Sequence, residues 1–65
     1  MNRIRAVRKE KGITMTALAR EVGCSTPYMY DVEMGHRKPS PETLAKISSF
    51  LGTPIGELYT KEEGK

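Results

Sequence analysis

An all-α fold is predicted, because apolar residues recur at three- and four-residue spacing and no segment alternates as a half-buried strand does. Three observations carry this. Gly12, Gly23, Gly35 and Gly52 each follow such a stretch, where a helix stop is expected. Thr14, Ser25 and Ser40 each precede one as hydroxyl N-caps. Pro27 and Pro41 fall in first turns, where a missing amide proton costs least.

The punctuation gives five helices. Asn2 is expected to cap the first, with Ile4 and Val7 inward, Arg8 beside them, and Gly12 at its end. Thr14 caps the second, whose inner stripe is Leu18, Ala19 and Val22; Gly23 closes it with a positive φ. Ser25 caps the third, Met29 and Val32 point inward, and Gly35 stops it before the loop His36-Arg37-Lys38-Pro39. Ser40 and Pro41 start the fourth, where Leu44, Ile47, Ser48 and Leu51 share a face with Phe50 beside it, and Gly52 ends it. Thr53-Pro54 repeats the hydroxyl–proline start and opens a short fifth helix with Ile55, Leu58 and Tyr59; Ile55 and Leu58 are assigned to the core.

At 65 residues the chain is expected to be one domain, ordered over about residues 2–60, with 61–65 as a frayed tail. A domain of this size buries only ~60% of the surface its unfolded chain exposes. The net charge of +3 suits a polyanionic partner, and its placement says more: Arg3, Arg5, Arg8, Lys9 and Lys11 crowd one end, and Arg37 and Lys38 sit in the central loop. The bland reading of Lys9 and Lys11 is a solvated face.

Cys24 is the single cysteine, so no disulfide can form within the chain, which fits a reducing cytoplasm, the expected location. It is expected to pack as a small hydrophobe. No apolar run approaches ~20 residues, and the opening Met-Asn-Arg-Ile-Arg lacks the apolar stretch of a secretory signal. His36 is the only histidine and has no partner at metal-ligand spacing. Met15, Met29 and Met34 read as packing or surface residues, and Glu62-Glu63 are sequence neighbours rather than an acid–base dyad. With no nucleophile–base set and no Gly-rich phosphate loop, an enzyme is the disfavoured class. No cofactor, metal or small-molecule ligand is expected.

Residues 13–39 read as two short helices joined at Gly23 and followed by a basic loop, a unit that can hold its second helix proud of a small scaffold and present it to the major groove of DNA. The ordered series Arg8 before Gly12-Ile13, Leu18-Ala19 with Val22-Gly23, Ser25, Val32-Glu33-Met34-Gly35, Arg37-Lys38-Pro39-Ser40, Leu44 with Ile47, and Leu51-Gly52 before Ile55 and Leu58 resembles the Cro/repressor-type helix-turn-helix domains, the Xre family. The resemblance runs from about Ile4 to Tyr59. It implies a compact five-helix, lambda repressor-like domain and a sequence-specific DNA-binding regulator of transcription. A repressor acting as a homodimer on a palindromic operator, with helix 25–34 in the major groove, is the expected form. An antitoxin or protein-binding adaptor on the same fold is the alternative. Two positions depart from the family. Met15 stands where many members have a phosphate-binding Gln, and Thr26-Pro27 stands where others have Gln-Gln, so no member's operator sequence carries over.

On the third helix, the face opposite Met29 and Val32 carries Thr26, Pro27, Tyr30 and, to one side, Asp31, the candidates for base contact. Thr26 offers a hydroxyl and a methyl, Pro27 only shape, and Tyr30 a ring and a hydroxyl unless it is simply a solvated tyrosine. Asp31 can accept from a cytosine amino group; the expected reading is instead an ion pair with Arg37 that holds the basic loop. Thr14, Met15 and Thr16, at the amino end of the second helix, are candidates for phosphate contact, as are Arg37 and Lys38. Tyr28 either donates to a phosphate or packs against the second helix, and Arg20 is either a phosphate contact or a solvated outer residue. Arg8 and Glu33 resemble a family pair that locks the first helix to the third. The resemblance also implies a dimer contact near the last helix, where Phe50 and Tyr59 are the candidates.

Overall fold

A computed structural model describes residues 2–59; the expected tail at 61–65, with Glu62-Glu63, lies outside them. Five helices follow one another, with no strand among the described residues: α1 (Ile4–Glu10), α2 (Met15–Val22), α3 (Thr26–Met34), α4 (Pro41–Leu51) and α5 (Ile55–Leu58). Three starts are fixed by hydroxyls that accept an otherwise unbonded amide. Ala17 N–H donates to Thr14 Oγ1 at 3.1 Å, Tyr28 N–H to Ser25 Oγ at 3.2 Å, and Thr43 N–H to Ser40 Oγ at 3.2 Å. The stops at Gly23, Gly35 and Gly52 all use the left-handed backbone conformation that glycine adopts without strain.

The stripes converge on one core of Ile4, Val7, Leu18, Ala19, Val22, Met29, Val32, Ile47, Leu51 and Leu58. α2 is the hub, packing on both α3 and α4, so the three helices share one set of apolar side chains. Leu44, expected on the inner face of α4, is half-buried.

The two ends of the described chain meet. Asn2 Oδ1 accepts the Ile4 N–H at 3.0 Å, although the residue at the N-cap position itself is Arg3. The Asn2 amide also donates to the Val32 carbonyl at 2.9 Å and to the Tyr59 hydroxyl at 3.2 Å, and Arg3 N–H donates to the Leu58 carbonyl at 2.8 Å.

Two expectations fail around α5. Thr53 does not cap it: the N-cap position is Pro54, and the buried Thr53 hydroxyl turns back to the Leu51 carbonyl. The Thr53 carbonyl takes the Ser48 hydroxyl at 2.6 Å, so this hydroxyl–proline pair finishes the preceding helix. Ile55 is not core; it is 40% exposed. A helix of four residues can bury only one turn-face, and Leu58 takes it.

Candidate nucleic-acid interface

The turn between α2 and α3 is short and tightly bonded. The N–H groups of Gly23 and Cys24 both donate to the Ala19 carbonyl at 2.9 Å, and Gly23 sits at φ 86°, so three residues, Gly23, Cys24 and the cap Ser25, join α2 to α3. Met29 and Val32 bury the inner face of α3 completely. Its outer face carries Pro27 and Tyr30, both exposed, with Tyr30 at 49%, and Thr26 half-buried at the leading end. Asp31 is half-buried to one side.

Arg8 and Glu33 form a two-point ion pair. Arg8 Nε donates to Glu33 Oε2 at 2.6 Å and Nη2 to Oε1 at 3.1 Å, while Nη1 donates to the Ile13 carbonyl at 2.8 Å. The planar fork therefore ties α1, the chain before α2, and α3 together at one buried point.

The α2 amino end holds Thr14 and Thr16, both exposed, whereas Met15 is half-buried and packs against the core. Met15 has no polar side-chain atom, so anything it offers an anion comes from its main-chain amide. Arg20 is exposed on the outer side of α2.

The loop after α3 corrects one expectation. Asp31 does not pair with Arg37; its carboxylate lies 3.7 Å from His36 Nδ1, and the His36 ring also meets Tyr30 edge-on at 6.5 Å between centroids. The Asp31 carbonyl accepts both His36 N–H at 2.8 Å and Arg37 N–H at 3.2 Å. That bend carries the Arg37 guanidinium over the Tyr28 ring, 5.5 Å from its centroid. Tyr28 is half-buried and packs against the core. Lys38 is exposed. The Tyr28–Arg37 cation–π contact joins residues on a helix and on a loop, and no periodicity in the sequence announces it.

Cys24 is half-buried against the core beside the turn, and burial pushes its thiol above the ordinary range by disfavouring the thiolate. Phe50 is 40% exposed at the carboxyl end of α4, beside the α5 start that exposes Ile55; Tyr59 is half-buried. Among the described residues there is no group of His, Cys, Asp and Glu that could hold a metal ion, and no helix long and apolar enough to cross a membrane.

A helix-turn-helix family model matches residues 4–58, the span from the first core residue of α1 to the last of α5. The chain belongs to the helix-turn-helix family. The match agrees with the Xre-type resemblance carried by the ordered series from Arg8 to Leu58. Relatives of this helix-turn-helix chain include the HTH-type transcriptional regulator DdrOP3 of Deinococcus deserti, 36% identical over 86% of this chain and 43% of the relative. The HTH-type transcriptional regulator SlrR of Bacillus subtilis is 40% identical over 91% of this chain and 40% of its own length. The immunity repressor protein of Bacillus phage phi105 is 33% identical over 92% and 42%. The chain thus spans about two-fifths of the length of these relatives.

Proposed function

We propose that this chain is a DNA-binding regulator of transcription whose α3 enters the major groove. One observation carries the reading: the outer face of α3 is left uncovered by the other described residues, with Pro27 and Tyr30 exposed and Thr26 half-buried at its leading end. Thr26, Pro27 and Tyr30 supply base contacts. Asp31 is a fourth, its carboxylate 3.7 Å from His36 Nδ1 and able to accept from a cytosine amino group. The names of the relatives, transcriptional regulators and a phage repressor, support the assignment.

Backbone contact supplies most of the affinity. The free amides at the start of α2 (Thr14, Met15, Thr16) receive one phosphate, and Arg37 and Lys38 receive others. The Arg8–Glu33 pair fixes the angle at which α3 leaves the scaffold. The chain acts as a homodimer joined through Phe50 and Tyr59, which sets two copies of α3 about 34–36 Å apart on a palindromic operator, and it works as a repressor.

The test is binding of the purified chain to a palindrome taken from beside its own gene in ~150 mM salt, where weak nonspecific contacts fade. A selective complex, lost in the Thr26→Ala, Arg37→Ala double variant, is the expected result. A folded chain that captures a partner protein and forms no selective DNA complex favours the adaptor instead.

A further inference from the structure

We propose that Tyr28 is a positioning residue for phosphate recognition: its ring is a platform that holds the Arg37 guanidinium pointed and ready, so that Arg37 rather than Lys38 is the ordered backbone contact of the central loop. The inference rests on the DNA-binding reading and assigns a role within it. Three observations converge. The ring is anchored, because Tyr28 is half-buried and packs against the core, one turn into a helix capped by Ser25. The guanidinium lies 5.5 Å from the ring centroid, inside the reach of a cation–π contact. The main chain of Arg37 is tied down separately, through its N–H to the Asp31 carbonyl at 3.2 Å, next to the His36 N–H bond of 2.8 Å to the same oxygen. Both ends of this long side chain are therefore set before DNA arrives. Lys38 is exposed and makes no ion pair among the described residues.

The physical consequence is a lower ordering cost. An arginine that swings freely must be immobilised on a phosphate, and immobilising a rotamer-rich side chain weakens binding by about threefold to tenfold. A guanidinium already held over the ring has lost part of that freedom and keeps its N–H donors for a phosphate, since the Tyr28 contact is made by its positive charge. The Tyr28 hydroxyl has no part in this, which separates it from a tyrosine that donates to phosphate itself.

The experiment is a mutant cycle on the full chain. Operator affinity is measured across a salt series for wild type, Tyr28→Phe, Tyr28→Leu, Arg37→Ala, Lys38→Ala and the pairs Tyr28→Leu/Arg37→Ala and Tyr28→Leu/Lys38→Ala. Expected results are about wild-type affinity for Tyr28→Phe, a threefold to tenfold loss for Tyr28→Leu, on the order of the ordering cost above, no further loss when Tyr28→Leu is added to Arg37→Ala, and multiplied losses when it is added to Lys38→Ala. A loss in Tyr28→Phe equal to that in Tyr28→Leu overturns the inference in favour of a hydroxyl–phosphate bond. Multiplied losses with Arg37→Ala overturn it too. Should Tyr28→Leu fold poorly, wild type alone decides: proton NMR must show ring-proton contacts to the Arg37 side chain in the free protein, and their absence sinks the proposal. A wild-type chain that shows those contacts and forms no salt-dependent DNA complex overturns the DNA-binding reading, and this role with it; a normal complex with no Tyr28–Arg37 coupling overturns this role alone.

Discussion

Replacing Arg8 by Ala strands the Glu33 carboxylate, whose side chain is 0% exposed, without the only ion-pair partner it has among the described residues. Breaking a buried pair in this way costs ~3–5 kcal/mol, chiefly because the surviving charge has no solvent to turn to. A chain of 65 residues has about 3–10 kcal/mol of stability in total, at roughly 0.05–0.15 kcal/mol per residue. Arg8→Ala is therefore expected to consume a third of the stability or more, and to be partly unfolded at room temperature if the domain lies at the low end. Glu33→Ala is expected to be milder. The guanidinium, at 8% exposure, reaches some water, and it keeps its bond to the Ile13 carbonyl. Converting both residues to apolar ones of similar size, Arg8→Met with Glu33→Leu, removes both charges at once, and a neutral or smaller net cost is expected. The assay is urea unfolding followed by helical circular dichroism, with the midpoint and slope fitted for wild type, both single variants and the double. Two single variants each within about 0.5 kcal/mol of wild type, the ordinary range for surface substitutions, would falsify the claim that this pair is a buried anchor. A double variant as unstable as the two single losses added together would refute the desolvation argument.

Further outcomes follow from other parts of the structure. Ser25→Ala removes the acceptor of the Tyr28 N–H and should cost ~1 kcal/mol in the same unfolding assay. Gly23→Ala meets no atom within 4 Å but must hold φ 86°, so a loss of about 1–2 kcal/mol is expected from backbone strain alone; an unchanged midpoint would show that the turn relaxes freely. Phe50→Lys places a charge on a side chain that is 40% exposed, and analytical ultracentrifugation should then find monomer while circular dichroism stays unchanged; an unaffected dimer would locate the contact elsewhere. Cys24 should react with iodoacetamide more slowly in the folded chain than in urea, because burial raises its thiol and lowers the thiolate fraction. The same shift makes the unfolded chain lose the proton first, so stability falls as pH climbs through the thiol range, an effect that Cys24→Ala should abolish.

Most of the architecture was legible because its signals are local. A hydroxyl at Thr14, Ser25 or Ser40 caps whatever helix follows it, and the glycines at 23, 35 and 52 are where a helix can end in the left-handed conformation. The inward stripes of α2 and α3 obey helical spacing, so Leu18, Ala19, Val22, Met29 and Val32 were readable as core. The illegible parts depend on how separate elements lie. Ile55 was assigned inward because it is apolar, but a four-residue helix has no period to test that against. Thr53-Pro54 carries the same chemistry as Ser40-Pro41 and does a different job, since the Thr53 carbonyl and hydroxyl are already drawn back to α4. At the candidate interface, an acid and a base six residues apart suggested the pair Asp31–Arg37. The bend set by two amides on one carbonyl instead sends His36 toward the acid and Arg37 toward Tyr28.

The small knot at Asn2 has a mechanical consequence. One amide group clasps α3, through the Val32 carbonyl, and the far end of the described chain, through Tyr59. Residues 2 and 59, the two ends of the described chain, thus share a single corner, and a displacement of either is delivered to α3 through one shared clasp. A load applied at that corner would act on α3 through a short lever.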